Sequence, residues 1–245
     1  MFNFSGIQWA IASISAFLFG LSKTGLPGMG ILAIPLMAGI MPSRISTGVV
    51  LPILIFADIF AVSYYRRKAV WSHLFRLIPW AMTGIILGYL IMGRITDTQL
   101  KPVIGIVIMI MLTVNYWRNS QPNEMPVPTR WWFAAFTGLL AGITTMLANA
   151  AGPILVIYLL AMRLPKTEFI GTAAWYFFLL NWFKVPFSAN LGLITPQSLR
   201  FNLALFPLVA IGAVSGIYLL KYLPEKTFNN ITQILAGIAA INLLF

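Results

Sequence analysis

Three ionisable side chains fall inside otherwise apolar stretches of this sequence: Lys23, Asp58 and Lys184. On insertion scales a lysine or aspartate at the centre of a bilayer costs about 2.5–3.5 kcal/mol, so each needs a partner, a water path or a task. Lys23 stands in a glycine-rich run with Ser22, Thr24, Gly25, Gly28 and Gly30, immediately before a new apolar segment. If that break lies at membrane depth, bared backbone amides, the positive end of the following helix and the ammonium converge on one spot, which is the chemistry of an anion site. If the flanking segments cross fully, Lys23 is one more cytoplasmic charge, and the residues leave that choice open.

A second break further along carries Thr144, Thr145, Asn149 and Gly152. It offers hydrogen bonds at the matching place but no charge, and Asn149 equally suits the capping of the helix that follows. Asp58 either takes up a proton or pairs with a lysine, since buried charges are usually paired. Asn181 falls opposite it in the second half of the chain. Lys184, near the end of its segment, is either an ion-pair candidate or a side chain that snorkels to the outer interface. His73, the single histidine, is read as a boundary residue.

This inventory excludes several kinds of function. Hydrolytic or metal chemistry needs several convergent His, Cys, Asp or Glu groups, whereas the apolar segments hold one well-buried acid and the sequence has no cysteine. Neither an enzyme, a cofactor nor a bound metal is expected, and the imbalance favours an anionic ligand over a cationic one. The net charge of +11 does not point to nucleic acid, because the basic residues are scattered among short connections rather than gathered with stacking aromatics.

The elements that must position these residues are membrane helices. Of the 245 residues 60% are hydrophobic and 9% charged, against about 25% charged in a soluble domain, so lipid is the natural solvent. Ten apolar segments are expected, at about 5–22, 27–41, 46–65, 73–93, 98–117, 131–146, 150–163, 168–187, 199–221 and 227–245. Segments one, two, six and seven reach only about 20–27 Å at ~1.5 Å per residue, short of a hydrocarbon core of about 30 Å. They are therefore either shallow spans or broken, re-entrant hairpins. The first segment lacks a basic n-region and reads as a retained helix rather than a signal peptide.

The polar run at 118–130 divides the chain nearly in half, into a first membrane repeat at 1–117 and a second at 131–245. Pro79, Gly84 and Gly88 recur as Pro207, Gly212 and Gly216, and Asp58 recurs as Asn181. The glycines also suit plain helix packing in lipid. Charge settles the expected relation of the halves. With an odd number of crossings per half, one side holds ten basic residues (Arg66, Arg67, Lys68, Arg76, Arg118, Arg130, Arg163, Lys166, Lys221, Lys226) and the other four (Arg44, Arg94, Lys101, Arg200). The positive-inside rule favours that count. It makes the repeats inverted, about five helices each, with both termini outside and the linker in the cytoplasm. Trp71, Trp117, Trp131 and Trp132 then serve as interfacial anchors.

The run Phe19-Gly20-Leu21-Ser22-Lys23-Thr24-Gly25-Leu26-Pro27-Gly28-Met29-Gly30, its second copy from Leu140-Ala141-Gly142 to Ala151-Gly152-Pro153, and the Gly84/Gly88 and Gly212/Gly216 helices together resemble the sulfite exporter TauE/SafE family. The resemblance implies an all-α integral membrane protein of the cell membrane, of the bacterial inner-membrane kind. It implies secondary transport of small sulfur-containing or carboxylate anions, often export of sulfite or sulfonates. The expected partners are the anion and the lipid bilayer, with protons or the anion's own gradient as the drive and a second copy of the chain as a further candidate. An anion channel or uniporter, and a non-transporting membrane subunit, are the alternatives. The second copy has Ala150 where the first has Gly28, and no basic residue where the first has Lys23, so a symmetric two-lysine site is not expected.

The charge split generates a labelling test. Cysteines introduced singly at Asn123 and Asn190 should react with a membrane-impermeant thiol reagent from opposite faces, and labelling from the same face rules the inverted arrangement out.

Overall fold

The computed structural model describes residues 4–27, 29–92, 113 and 130–244. Among them are nine helices and no strand: α1 (Gly6–Thr24), α2 (Met29–Ile40), α3 (Ser43–Tyr65), α4 (Trp71–Ile91), α5 (Trp131–Ala148), α6 (Gly152–Ala161), α7 (Lys166–Asn190), α8 (Pro196–Tyr222) and α9 (Glu225–Leu244). They coincide with the apolar segments to within a few residues. Segment five with Trp117 but apart from Thr113, the linker apart from Arg130, and Gly28 lie outside the described residues.

Local signals set the ends. Ser5 caps α1 in a reciprocal box with Gln8, and Thr195 does the same for α8 with Ser198, each satisfying amide donors that a helix start leaves orphaned. α1 stops at Gly25, ahead of Pro27. α5 stops at Asn149, which takes the left-handed conformation (φ 54) while its N–H bonds back to the last turn. Asparagine tolerates that conformation better than most residues. Asn149 therefore terminates α5 rather than capping α6, whose first residues follow Ala151 with no side-chain cap.

Four of the described helices, α3, α4, α5 and α8, are long and apolar enough to cross a membrane. Segment six, short by sequence, runs on through Leu147 and Ala148 and so joins this set. α2 and α6 have 12 and 10 residues, about 18 and 15 Å at ~1.5 Å per residue, roughly half a hydrocarbon core. In α6 every residue from Pro153 to Ala161 is buried, with α5, α7 and α9 packed against it. A helix apolar all round belongs inside a protein, and helix ends at membrane depth are tolerated only when protein or a cavity surrounds them.

Glycine seams hold the outer helices together. α1 runs parallel to α8, with Gly20 beside Val209 and Ala213, Gly212 beside Phe17 and Leu21, and Gly216 against Thr24 and Gly25. α4 runs parallel to α5 in the same manner, with Gly138 beside Leu77 and Gly142 beside Ala81 and Gly84. Lipid supplies no hydrophobic drive between helices, so close backbone approach through small residues is what makes such contacts favourable. Thr24 adds a hydrogen bond from its hydroxyl to the Ala213 carbonyl at 2.6 Å, and Tyr65 donates to the Thr24 carbonyl at 2.9 Å. Between the seams α3 and α7 cross antiparallel, with Gly48 beside Leu193, Asp58 on Asn181 and Gly171 beside Lys68. Trp71, Trp131 and Trp132, at the starts of α4 and α5, are all exposed.

A Cβ at Gly212 would run into the Phe17 carbonyl, whereas one at Gly39 meets nothing within 4 Å. Gly212→Ala should therefore cost about 1–3 kcal/mol through overpacking, lowering the thermal midpoint of the detergent-solubilised protein by several degrees. Gly39→Ala should leave the midpoint unchanged or slightly raised, since alanine is the better helix former. Equal midpoints for the two variants contradict the seam.

Candidate functional site

Lys23 sits in the last turn of α1, and Asp58 in the middle of α3. Their charged atoms meet at 2.8 Å, with the carboxylate side chain fully buried and the lysine side chain 11% exposed. The other carboxylate oxygen accepts from the Asn181 amide at 2.6 Å. Phe177, one turn before Asn181 on α7, presents its ring 3.9 Å from the ammonium, a cation–π contact worth about 0.5–2 kcal/mol. Of the two roles that the sequence leaves open for Asp58, the geometry displays pairing. A buried pair of this kind contributes little net stability, yet removing one partner is costly because the other charge is left uncompensated.

The second break also has a lysine, and it comes from another helix. Lys184 is fully buried rather than reaching the interface, which corrects the snorkelling alternative. Its ammonium donates to the Thr145 carbonyl at 2.9 Å, the Thr145 hydroxyl at 3.2 Å and the Asn149 side-chain oxygen at 2.6 Å. Asn149 in turn donates to the Thr47 carbonyl at 3.0 Å, so the left-handed turn is pinned from both sides. Phe177, Asn181 and Lys184 form one stripe along α7, at the spacing that keeps side chains on a single helix face.

Between the breaks lies a cavity of about 60 Å³. From the first break it is lined by Ser22, Lys23, Pro27 and Gly30, from the second by Thr145, Asn149 and Gly152, and from α7 by Phe177 and Asn181. Phe19, Leu155 and Phe169 contribute to its apolar wall. The Asn181 side-chain oxygen is buried and has no hydrogen-bond partner among the described residues. The N-termini of α2 and α6, at Met29 and Gly152, both open at the breaks, so their positive dipole ends add to the lysines.

The expected site residues thus separate into groups. Ser22, Lys23, Gly30, Thr145, Asn149, Gly152 and Asn181 line the cavity, whereas Asp58 stands behind Lys23, and Lys184 behind Thr145 and Asn149. Thr24 is committed to α8 and to its own helix, and the Thr144 hydroxyl donates to the Ala141 carbonyl at 3.2 Å. Gly28 lies outside the described residues. Sequence reasoning misses Phe177, because a phenylalanine beside a lysine position looks the same as the many that face lipid.

Fold and site together define a multi-pass, all-α membrane protein whose polar centre is built where helices stop inside the protein. The chain belongs to the sulfite exporter TauE/SafE family, whose model matches residues 12–243; this is a family of membrane transporters. Comparison with curated proteins and with solved structures returned no match.

The ion pair makes a test by double-mutant cycle. Lys23→Met alone leaves Asp58 buried without its cation and should destabilise the solubilised protein by about 3–5 kcal/mol. Lys23→Met combined with Asp58→Asn should recover more than half of that loss, read as the order of thermal midpoints. A double variant no more stable than the single one refutes an energetically coupled pair.

Proposed function

We propose that this chain is a secondary transporter that exports a small oxyanion, such as sulfite or a sulfonate, and binds it in the cavity between the two helix breaks. The observation that carries this reading is the convergence of both breaks on one cavity whose charged lining residue is a lysine. Lys23, the Thr145 hydroxyl and the N-termini of α2 and α6 are donors or positive ends, as an oxyanion requires. On the same measure as the cavity volume a single water needs about 10–15 Å³, so the space suits an anion of a few heavy atoms and not a large organic acid.

Asp58 is the coupling group in this scheme. A doubly charged anion and the carboxylate compete for the Lys23 ammonium, so a proton on Asp58 releases the lysine to that anion, and loss of the proton draws it back. The arrangement of helices supports a duplicated chain with inverted halves. The first helix of each half packs on the fourth helix of the other, α1 on α8 and α5 on α4, and the Asp58 and Asn181 positions meet across α3 and α7. Two such halves rocking about a shared central site is the common design of secondary transporters. A bacterial inner membrane, with the linker on the cytoplasmic side, is the setting this reading assigns.

Purified protein in liposomes should accumulate or release labelled sulfite with saturable kinetics that respond to an imposed pH gradient. Lys23→Met should weaken anion binding about tenfold or more, because hydrogen bonds to charged groups are worth about 1.5–3 kcal/mol. Thr24→Val, at a residue engaged with α8, should act on stability and not on affinity. Flux that rises linearly with anion concentration and ignores pH would favour a channel. An unaltered dissociation constant for Lys23→Met would remove the cavity from consideration.

A further inference from the structure

Among the described residues three charged groups surround the cavity: Lys23 beside it, Asp58 behind Lys23, and Lys184 behind Thr145 and Asn149. Asp58 compensates one lysine only. Lys184 is fully buried and among the described residues has no carboxylate in hydrogen-bond contact. Its three neighbours, the Thr145 carbonyl and hydroxyl and the Asn149 oxygen, are the three acceptors an ammonium needs. With each group in its usual ionised form, the cluster carries, among the described residues, two positive charges against one negative.

Resting on the anion-transport reading, we propose that the site is built to receive one net negative charge, delivered either as a singly charged oxyanion or as a doubly charged oxyanion together with one proton on Asp58. Lys184 is the cation that the substrate completes. It acts as a positioning residue, because Thr145 and Asn149, and not its own ammonium, line the cavity. An unbalanced charge in a dry site is expensive. A monoanion brings the cluster to neutrality, whereas a dianion overshoots by one unit, which protonation of the carboxylate restores. Asp58 is the group that can adjust. It faces Lys23 from α1 and Asn181 and Lys184 from α7. α2 and α5 contain no charged residue, and the charged residues of α8, Arg200 and Lys221, are exposed near its ends.

Methanesulfonate and sulfate test the rule, since both are tetrahedral oxyanions and differ chiefly by one charge. Titration calorimetry on the purified full chain, run in two cationic buffers of different ionisation enthalpy, gives both affinity and protons taken up. Methanesulfonate should bind without proton uptake. Sulfate should bind with close to one proton and, at neutral pH, about tenfold or more weakly. Asp58→Asn fixes the neutral state of the carboxyl, so sulfate should gain about tenfold or more in affinity over methanesulfonate and no longer take up a proton. Lys184→Met should weaken methanesulfonate by a similar factor, and Lys184→Arg should recover much of it. Equal affinities without proton uptake, or an anion preference unmoved by Asp58→Asn, overturns the charge rule while leaving the transport reading intact. Absence of binding and of liposome flux for both anions overturns the transport reading and the rule with it. If Lys184→Met does not fold, the proton count of the unmodified protein and the Asp58→Asn preference decide.

Discussion

The Asp58 carboxylate, fully buried in the middle of α3, is the constraint around which the rest of this protein is arranged. A charge in that position must be met by a cation and by donors, or the helix that carries it cannot stay in the membrane. The cation comes from the end of α1 and the donor from α7, so one carboxylate fixes the relative positions of three helices. It also fixes where α1 must end. A lysine that reaches α3 from the last turn of α1 places the Gly25 to Pro27 break inside the protein and turns a chain interruption into a polar centre.

Such a centre needs a dry and closely packed surround, which the glycine seams and α6 provide. Without a Cβ at Gly212, Gly216, Gly84 and Gly142 the paired backbones come within touching distance, and dispersion and carbonyl contacts replace the hydrophobic effect that lipid cannot supply. α6 is too short to span and has no polar face, so it is stable only where its neighbours cover it on all sides. Its N-terminus then points at the cavity because Asn149 turns the chain there, and Asn149 holds that turn because Lys184 and Thr47 each engage its side chain. Stability and site are in this sense one structure: the residues that tie down the second break are those that line the cavity or stand directly behind it.

The sequence makes the helices legible because their signals are local. Apolar run length and Pro and Gly punctuation give the nine described helices to within a few residues. The two breaks are legible too, the first from glycines beside a lysine next to an apolar segment, the second from its likeness to the first. What stays hidden depends on distances between segments far apart in the chain. Asp58 has two lysines available on paper, and only the packing of α1 against α3 selects Lys23. Lys184 lies close enough to a helix end to suggest the interface, and only the placement of α5 beside α7 turns it inward. Thr24 reads as a ligand from its neighbours in sequence, yet the seam with α8 claims its hydroxyl.

The difference between the halves follows from the same geometry. Sequence matching makes Asp58 and Asn181 equivalent positions, and the two side chains touch, at 2.6 Å. In a duplicated chain, equivalent residues that touch each other mark the place where the halves meet. Two aspartates there would set like charges side by side, and one would have to remain protonated at considerable cost. An asparagine in one copy relieves that conflict and supplies the donor the remaining carboxylate needs. Once one half keeps the acid, the lysines need not match either: Lys23 answers Asp58 directly, while the second break receives its cation from α7 through Lys184. On the proposed duplication the site is asymmetric in charge while its supporting helices repeat the same pairings, and the departures from the repeat pattern fall where the two halves come into contact.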